Sequence, residues 1–544
     1  MWEFLTLMTF VGGIVAFGGP PTGHAAYSSS LLKPSPLASP SFNISGDLFV
    51  KDGKPYRILS GEIHFWRMSP VDWEARLAAV AGMGFNTITV YAHWALSEPE
   101  PMAFDFSAGK NISAFIELAW RKFGLHSICR VGPYITAETD FGGLPYWLSN
   151  VPGLELRRMN AHYLSYVDRY FDHLIPMLVP LQYNAYGGPI LLFQVEDDTS
   201  TLSISVKENH DYYNYLVLAI RKRGITALTN TLCYPVPEEC RRAAIPDTIL
   251  AVEMPYWVPP VFSFDMVRLF YPRGPLIVME TYSGFFDLEG NPHQTLDGHV
   301  FATHMKRFLS APGNASLSIY MAFGGSNFGF SNGAEHPVYL GDKQVIPYRA
   351  DTTSYDYDAP IGEAGQIRSP KYFLLRNLLG PLNPSFNGSA TPVPPSPAIA
   401  SYGPIAMSEW APLFSSLQSF RALQSASPIG MEKIPQGFGY VLYEGLIHQA
   451  HSPGAAFNVN GTIEDRALVH VMQERIKLAR TNFFSLFFYH HHHLFALLLF
   501  LLTLSLFTHL PPFKMRGTVL ILTLSSPFFY TDLPEGSPAM YNRR

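Results

Sequence analysis

Residues 189–200, Pro-Ile-Leu-Leu-Phe-Gln-Val-Glu-Asp-Asp-Thr-Ser, run an apolar segment straight into three consecutive acids, Glu196, Asp197 and Asp198. Ionised carboxylates resist desolvation, so acids at the end of a buried strand are costly unless they are paired or have a chemical task. Residues 275–282, Pro-Leu-Ile-Val-Met-Glu-Thr-Tyr, repeat the design with Glu280 near the end of a second apolar run. Two strand ends that each present a carboxylate are what glycoside hydrolysis needs. One carboxyl group protonates the leaving oxygen, and the other attacks the anomeric carbon or activates water. The competing reading makes these acids ordinary strand-terminal residues paired with Arg or Lys, and the local sequence leaves both open.

The elements that would hold such acids are visible between residues 57 and 324. Short apolar runs occur at 57–65, 87–94, 126–134, 189–196, 226–232, 249–256, 275–282 and 316–324. Segments with helical period lie between them, such as 70–83, with Trp73, Leu77 and Val80 on one stripe, and 112–123. Eight strands alternating with helices predict an α/β chain folded as a closed (β/α)8 TIM barrel rather than an open doubly wound sheet. Active sites in that fold lie at the strand ends. On this count the acids at 196–198 end the fourth strand and Glu280 ends the seventh.

The chain of 544 residues has room for more than this barrel. Its net charge of −5 gives no sign of nucleic acid or an anionic surface as partner. Aromatic residues make up 14% and suit a large core with a ring-lined site. Three cysteines cannot form a disulfide framework, although Cys233 and Cys240 are close enough in sequence to close one small loop; Cys129 reads as buried core. No Cys/His spacing resembles a metal site, and the run His490–His493 reads as low complexity. Residues 1–26, with an apolar stretch at 4–17, read as a secretory signal segment. Sequons at Asn43, Asn111, Asn314, Asn387 and Asn460 suit a glycoprotein of the secretory pathway, extracellular or lysosomal/vacuolar.

Past the barrel, assigned to 45–370, residues 371–401 read as a linker whose core is the Pro-rich Thr-Pro-Val-Pro-Pro-Ser-Pro. Residues 402–478 carry strand-like pieces at 438–443 and 467–471 and read as a partial β-rich domain. Residues 479–544 form an apolar tail. Its uninterrupted piece at 494–507 is shorter than the roughly 20 residues of a spanning helix, so membrane association rests on this tail alone.

Several strand ends together resemble one family. They are Ser60-Gly61-Glu62-Ile63-His64-Phe65, Tyr91-Ala92-His93-Trp94-Ala95-Leu96-Ser97-Glu98-Pro99 and Arg130-Val131-Gly132-Pro133-Tyr134-Ile135-Thr136-Ala137-Glu138. Gly142-Gly143-Leu144-Pro145, Gly324-Gly325-Ser326-Asn327-Phe328 and Thr353-Ser354-Tyr355-Asp356-Tyr357-Asp358-Ala359-Pro360 come next in order. The set closely resembles glycoside hydrolase family 35, the retaining β-galactosidases and their relatives, over roughly 45–370. A weaker likeness continues to about 478, where the family's β-domains look truncated.

The resemblance implies a cofactor-free retaining exo-β-galactosidase acting on β-galactosides. The family's fourth strand ends Gln-Val-Glu-Asn-Glu, and its final Glu is the general acid/base. Here the stretch reads Gln194-Val195-Glu196-Asp197-Asp198, which puts Asp198 at the acid/base position and Asp197 where an Asn contacts the sugar 2-hydroxyl. Glu280 matches the nucleophile and Tyr282 a tyrosine beside it. Tyr91, Ala137, Glu138 and Tyr357 match residues that contact the galactose ring, and Phe330 stands where many relatives have a sugar-binding Tyr. Retention needs the two carboxyl groups roughly 5–5.5 Å apart. Replacing Glu by Asp withdraws the acid by one C–C bond, about 1.5 Å, and a misplacement of about 1 Å can slow a reaction roughly a hundredfold. The departures at 197, 198 and 330 therefore keep a second reading open, a catalytically impaired pseudoenzyme or galactoside-binding protein. Trp66, Trp94 and Trp147 are candidates to stack on sugar faces or to fill the core.

Overall fold

A computed structural model describes residues 39–198, 204–335, 338–340, 343–346, 348–388, 391–398, 400–412, 416–417, 422–447, 466–473, 485–486 and 517–524. The expected signal segment, Asn460 and the His490–His493 run lie outside the described residues. The described residues divide into two compact units, one built on those within 39–335 and 349–401, the other on those within 338–348 and 402–524.

The first unit contains the expected closed barrel of eight parallel strands. In chain order they are Leu59–Ile63, Thr87–Tyr91, His126–Arg130, Ile190–Gln194, Leu228–Cys233, Ile249–Glu253, Ile277–Tyr282 and Ser316–Phe323. Each lies in one of the apolar runs read from the sequence, the fifth overrunning its run by one residue. Seven are buried along their whole length, and only Leu228 of the fifth is half-buried. That is the pattern of strands filled by side chains within and covered by helices without, and it explains why the runs are continuous rather than alternating. A three-stranded antiparallel meander, Phe42–Ser45, Leu48–Lys51 and Lys54–Tyr56, precedes the barrel.

The covering helices obey local signals. Ile112–Phe123 starts at Asn111, whose side chain accepts from Ala114 N, and stops at Gly124 in the left-handed region. Ala161–Leu178 starts at Asn160 in the same way and buries the stripe Tyr163, Leu164, Val167, Tyr170, Phe171, Leu174. The expected helix at 70–83 opens with a 3-10 turn, Pro70–Asp72, then runs as Trp73–Gly82 with Trp73, Leu77 and Val80 buried. Trp94 and Trp147 belong to this core: both are buried, and Trp94 stacks on Tyr170 with ring centroids 4.8 Å apart. Neither is available to a sugar face.

The segment read as a linker begins with a helix instead, Lys371–Leu379, which buries Lys371, Tyr372, Leu375 and Leu379. The Tyr372 hydroxyl donates to Ala79 O at 2.8 Å, fastening this helix to Trp73–Gly82. In the second unit, Tyr440–Ile447, Gly517–Leu524, Arg466–Gln473 and Ser485–Leu486 form an antiparallel sheet in that order. Its second and fourth strands come from the segment read as an apolar tail. Among the described residues no helix is long and apolar enough to cross a membrane.

Candidate active site

The fourth strand ends at Gln194, and residues 195–198 do not continue it. Glu196 and Asp198 have φ of 58° and 41°, in the left-handed region that side chains seldom adopt. The alternation that would put Glu196 and Asp198 on one face is therefore broken. Glu196 turns away from the cleft, fully enclosed, with Oε1 accepting from Arg157 Nε at 2.7 Å and Oε2 from Tyr134 N at 3.1 Å. Arg157 also donates to Asp198 O at 2.8 Å and to Asp197 O. One guanidinium thus fixes the bend that turns both Asp197 and Asp198 into the cleft. The pairing reading holds for Glu196 alone of the three as a complete account, since Asp197 and Asp198 line the cleft.

Arg130, the last residue of the third strand, is the buried cation at the floor. It donates to Asp197 Oδ1 at 2.5 Å and to Glu280 Oε1 at 2.7 Å, and lies 3.5 Å from Glu62 Oε2. The Tyr91 hydroxyl donates to Glu62 and accepts from Arg130, whose guanidinium also covers the Tyr91 ring. Three carboxyl groups thus share one buried guanidinium. Burial pushes the Asp197 carboxyl up to about 8, opposed by Arg130 and reinforced by Glu280 and Asp198. Burial pushes Glu62 up to about 8 as well, opposed by Arg130 and reinforced by Glu280.

The third strand leads through Val131–Ile135 into a tight turn in which Thr136, Ala137 and Glu138 have φ of 53°, 48° and 45°. Arg67, entirely buried, holds this turn by donating to Ala137 O at 2.7 Å and Glu138 O at 2.9 Å. Glu138 Oε2 accepts from the Tyr320 hydroxyl at 2.7 Å and from that of Tyr355. The segment carrying Tyr355 and Tyr357 lies directly over the last two strand ends. A Cβ at Gly284 would fall 1.9 Å from Tyr357 O, and one at Gly324 1.8 Å from Tyr355 O, so glycine is required at both.

These elements form a cleft lined by Tyr91, Ile135, Thr136, Ala137, Glu138, Asp197, Asp198, Glu253, Glu280, Tyr282, Phe285, Tyr320 and Tyr357. All eight residues singled out from the sequence are therefore brought together: Asp198, Glu280, Tyr91, Ala137, Glu138, Asp197, Tyr282 and Tyr357. Phe330 is not among the lining residues. Trp66 is half-buried against the His64 and His93 rings, outside that lining. Sequence reasoning assigns no role to the other five lining residues, Ile135, Thr136, Glu253, Phe285 and Tyr320, of which Glu253 and Tyr320 carry polar groups. Glu253 ends Ile-Leu-Ala-Val-Glu, the same apolar run into an acid that marks Glu196 and Glu280, so a signal for it is present. Tyr320 sits inside the eighth strand and carries no such signal. Among the described residues no group of three or more His, Cys, Asp or Glu is placed to hold a metal ion.

The chain is 35% identical over 437 residues to the rat beta-galactosidase-1-like protein 3, covering 77% of this chain and 65% of that one. It is 35% identical over 434 residues to the beta-galactosidase of Mus musculus, covering 78% and 64%. With the beta-galactosidase 8 of Oryza sativa subsp. japonica it is 33% identical over 446 residues, covering 80% and 63%. The chain thus spans somewhat less than two thirds of the length of these relatives. Among solved structures, GH5_18 from Streptomyces cattleya in complex with GlcNAc matches with a TM-score of 0.45 at 14% identity, covering 61% of this chain and 82% of that one. The model of glycosyl hydrolases family 35 matches residues 48–382, a span that takes in every barrel strand and the whole lining of the cleft. The chain belongs to that family.

Proposed function

We propose that this chain is a retaining exo-β-galactosidase that removes terminal β-galactosyl residues from oligosaccharides or glycoconjugates. The observation that carries the reading is the convergence of Glu280, on the seventh strand, and Asp198, on the loop that follows the fourth, on one cleft walled by Tyr91, Glu138, Tyr282 and Tyr357. The names of the curated relatives supply the sugar.

In the first half-reaction a Glu280 oxygen attacks the anomeric carbon, and the bond to the leaving oxygen breaks as that oxygen takes the Asp198 proton. Arg130 holds Glu280 Oε1 at 2.7 Å and fixes the carboxylate for attack. In the second half-reaction Asp198, now ionised, removes a proton from water, and the water oxygen displaces Glu280 from the sugar. Glu138, tied to Tyr320 and Tyr355, presents a fixed carboxylate to the sugar hydroxyls.

One observation favours a second reading, a galactoside-binding protein with little turnover. Asp198 is a methylene shorter than the family's acid/base Glu and leaves from a backbone turned to φ 41°. A single assay separates the two. The purified protein is given an aryl β-galactoside whose leaving group needs no proton, then one with a poor leaving group. Turnover of both supports the hydrolase. No turnover of either, with measurable galactose binding, leaves the binding protein.

We also place the chain in the secretory pathway. Supporting this are the apolar segment at 4–17, the disulfide between Cys233 and Cys240, and sequons whose Asn43, Asn314 and Asn387 are exposed or partly so. A mobility shift on endoglycosidase treatment of the protein from eukaryotic cells tests it; an unglycosylated, cytosolic product refutes it.

A further inference from the structure

Glu253 lines the cleft, is only 4% exposed, and has no part in the chemistry described above. It ends the sixth strand and is the direct cross-strand partner of Glu280 on the seventh. Between the two carboxyl groups stands the Tyr282 hydroxyl, 2.7 Å from Glu253 Oε2 and 3.1 Å from Glu280 Oε2. The other Glu280 oxygen is occupied by Arg130. A phenol carries one proton, and it is given along the shorter contact.

We propose that Glu253 is a positioning residue for the nucleophile: it holds the Tyr282 proton, so that Glu280 Oε2 keeps its lone pairs for the anomeric carbon. The inference rests on the reading of Glu280 as nucleophile. With an amide in place of the Glu253 carboxyl group, the Tyr282 hydroxyl turns to Glu280 Oε2. A charge-assisted hydrogen bond then lies on the oxygen that must attack.

The test isolates the attack from proton donation. 2,4-Dinitrophenyl 2-deoxy-2-fluoro-β-galactoside carries a leaving group that needs no acid and traps the glycosyl-enzyme; dinitrophenolate release gives the rate, and peptide mass mapping the labelled residue. Glu253→Gln is expected to slow labelling of Glu280 by roughly tenfold to a hundredfold, the span of one hydrogen bond to a charged group. Glu253→Asp, which keeps the carboxyl group but withdraws it, falls between. In a Tyr282→Phe background, Glu253→Gln should produce no further slowing, since the hydroxyl it controls is gone. An equal slowing in that background, or none in the single variant, overturns the role of Glu253 while leaving the function intact. Failure of the unaltered protein to label at Glu280 overturns both.

Discussion

Arg130 and Asp197 meet at 2.5 Å at the floor of the cleft, and the same guanidinium reaches Glu280 at 2.7 Å. An asparagine at 197, as in the family pattern, would leave one cation facing Glu62 and Glu280 alone. The aspartate adds a third carboxyl group without adding a cation. Desolvation then favours keeping a proton in the cluster, and the Asp197 carboxyl is pushed up to about 8. A protonated Asp197 keeps one O–H donor where the amide had its N–H, so the substitution removes less hydrogen-bonding capacity than its charge suggests.

This has a measurable consequence for stability. Asp197 titrates near its ordinary 3.8 when unfolded and near 8 when folded. Below 3.8 both states hold the proton, and its contribution is fully present. Between about 4 and 8 only the folded state retains it, so stability from this group falls as pH rises and levels off above 8. The melting temperature is therefore expected to drop more steeply between pH 5 and 8.5 in the native protein than in Asp197→Asn. A residual slope should remain in the variant, because Glu62 is also pushed up to about 8. Parallel melting curves for the two proteins would count against the assignment.

Restoring the acid tests the position on which turnover depends. Asp198→Glu extends the carboxyl group by about 1.5 Å toward the leaving oxygen. For a galactoside with a poor leaving group, kcat/KM is expected to rise about tenfold to a hundredfold. For a dinitrophenyl galactoside the change should be small, because little proton transfer is needed. A uniform effect across the leaving-group series would mean that residue 198 does not deliver the proton.

How far the sequence discloses this site depends on which contacts are local. Each barrel strand is a short apolar run with its own punctuation, and the acids at 197, 198 and 280 stand at the ends of such runs, so strands and acids are both legible. The clamps are not. Arg67 holds a turn 70 residues away and Arg157 a loop 39 residues away, and no periodicity joins such partners. The period of two fails at Glu196 for the same reason: Arg157 and Tyr134 N draw that carboxylate out of the strand pattern. The start of the linker conceals a helix because the buried stripe Lys371, Tyr372, Leu375 and Leu379 has a lysine at its head.

The turn at Thr136–Glu138 needs its clamp. Three successive residues with positive φ are each strained, and Arg67 supplies donors to two of their carbonyl groups. Arg67→Met keeps much of the side-chain volume and removes those donors. Stability is expected to fall by about 1–3 kcal/mol, since the buried Ala137 O loses this donor and the part-buried Glu138 O is left to Gly333 N. Urea denaturation measures it, and a loss below about 0.5 kcal/mol, the size of an ordinary surface substitution, would show that the turn is held by other contacts.

Glu138 is the residue whose role in sugar binding can be separated from chemistry. Its Oε2 accepts from both Tyr320 and Tyr355, so the carboxylate is fixed by two donors and faces the cleft as an acceptor. In Glu138→Gln the amide oxygen can still meet the two hydroxyls, but the group left toward the sugar is then an N–H donor. Hydroxyls that had donated to the carboxylate lose their acceptor. The dissociation constant for galactose, measured calorimetrically, is expected to rise about tenfold to a hundredfold, the range for one hydrogen bond to a charged group. Labelling of Glu280 by the dinitrophenyl fluorogalactoside at saturation should slow much less than its half-saturation concentration rises. Equal losses in both would place Glu138 in the reaction itself, and an unchanged dissociation constant would remove it from the sugar site.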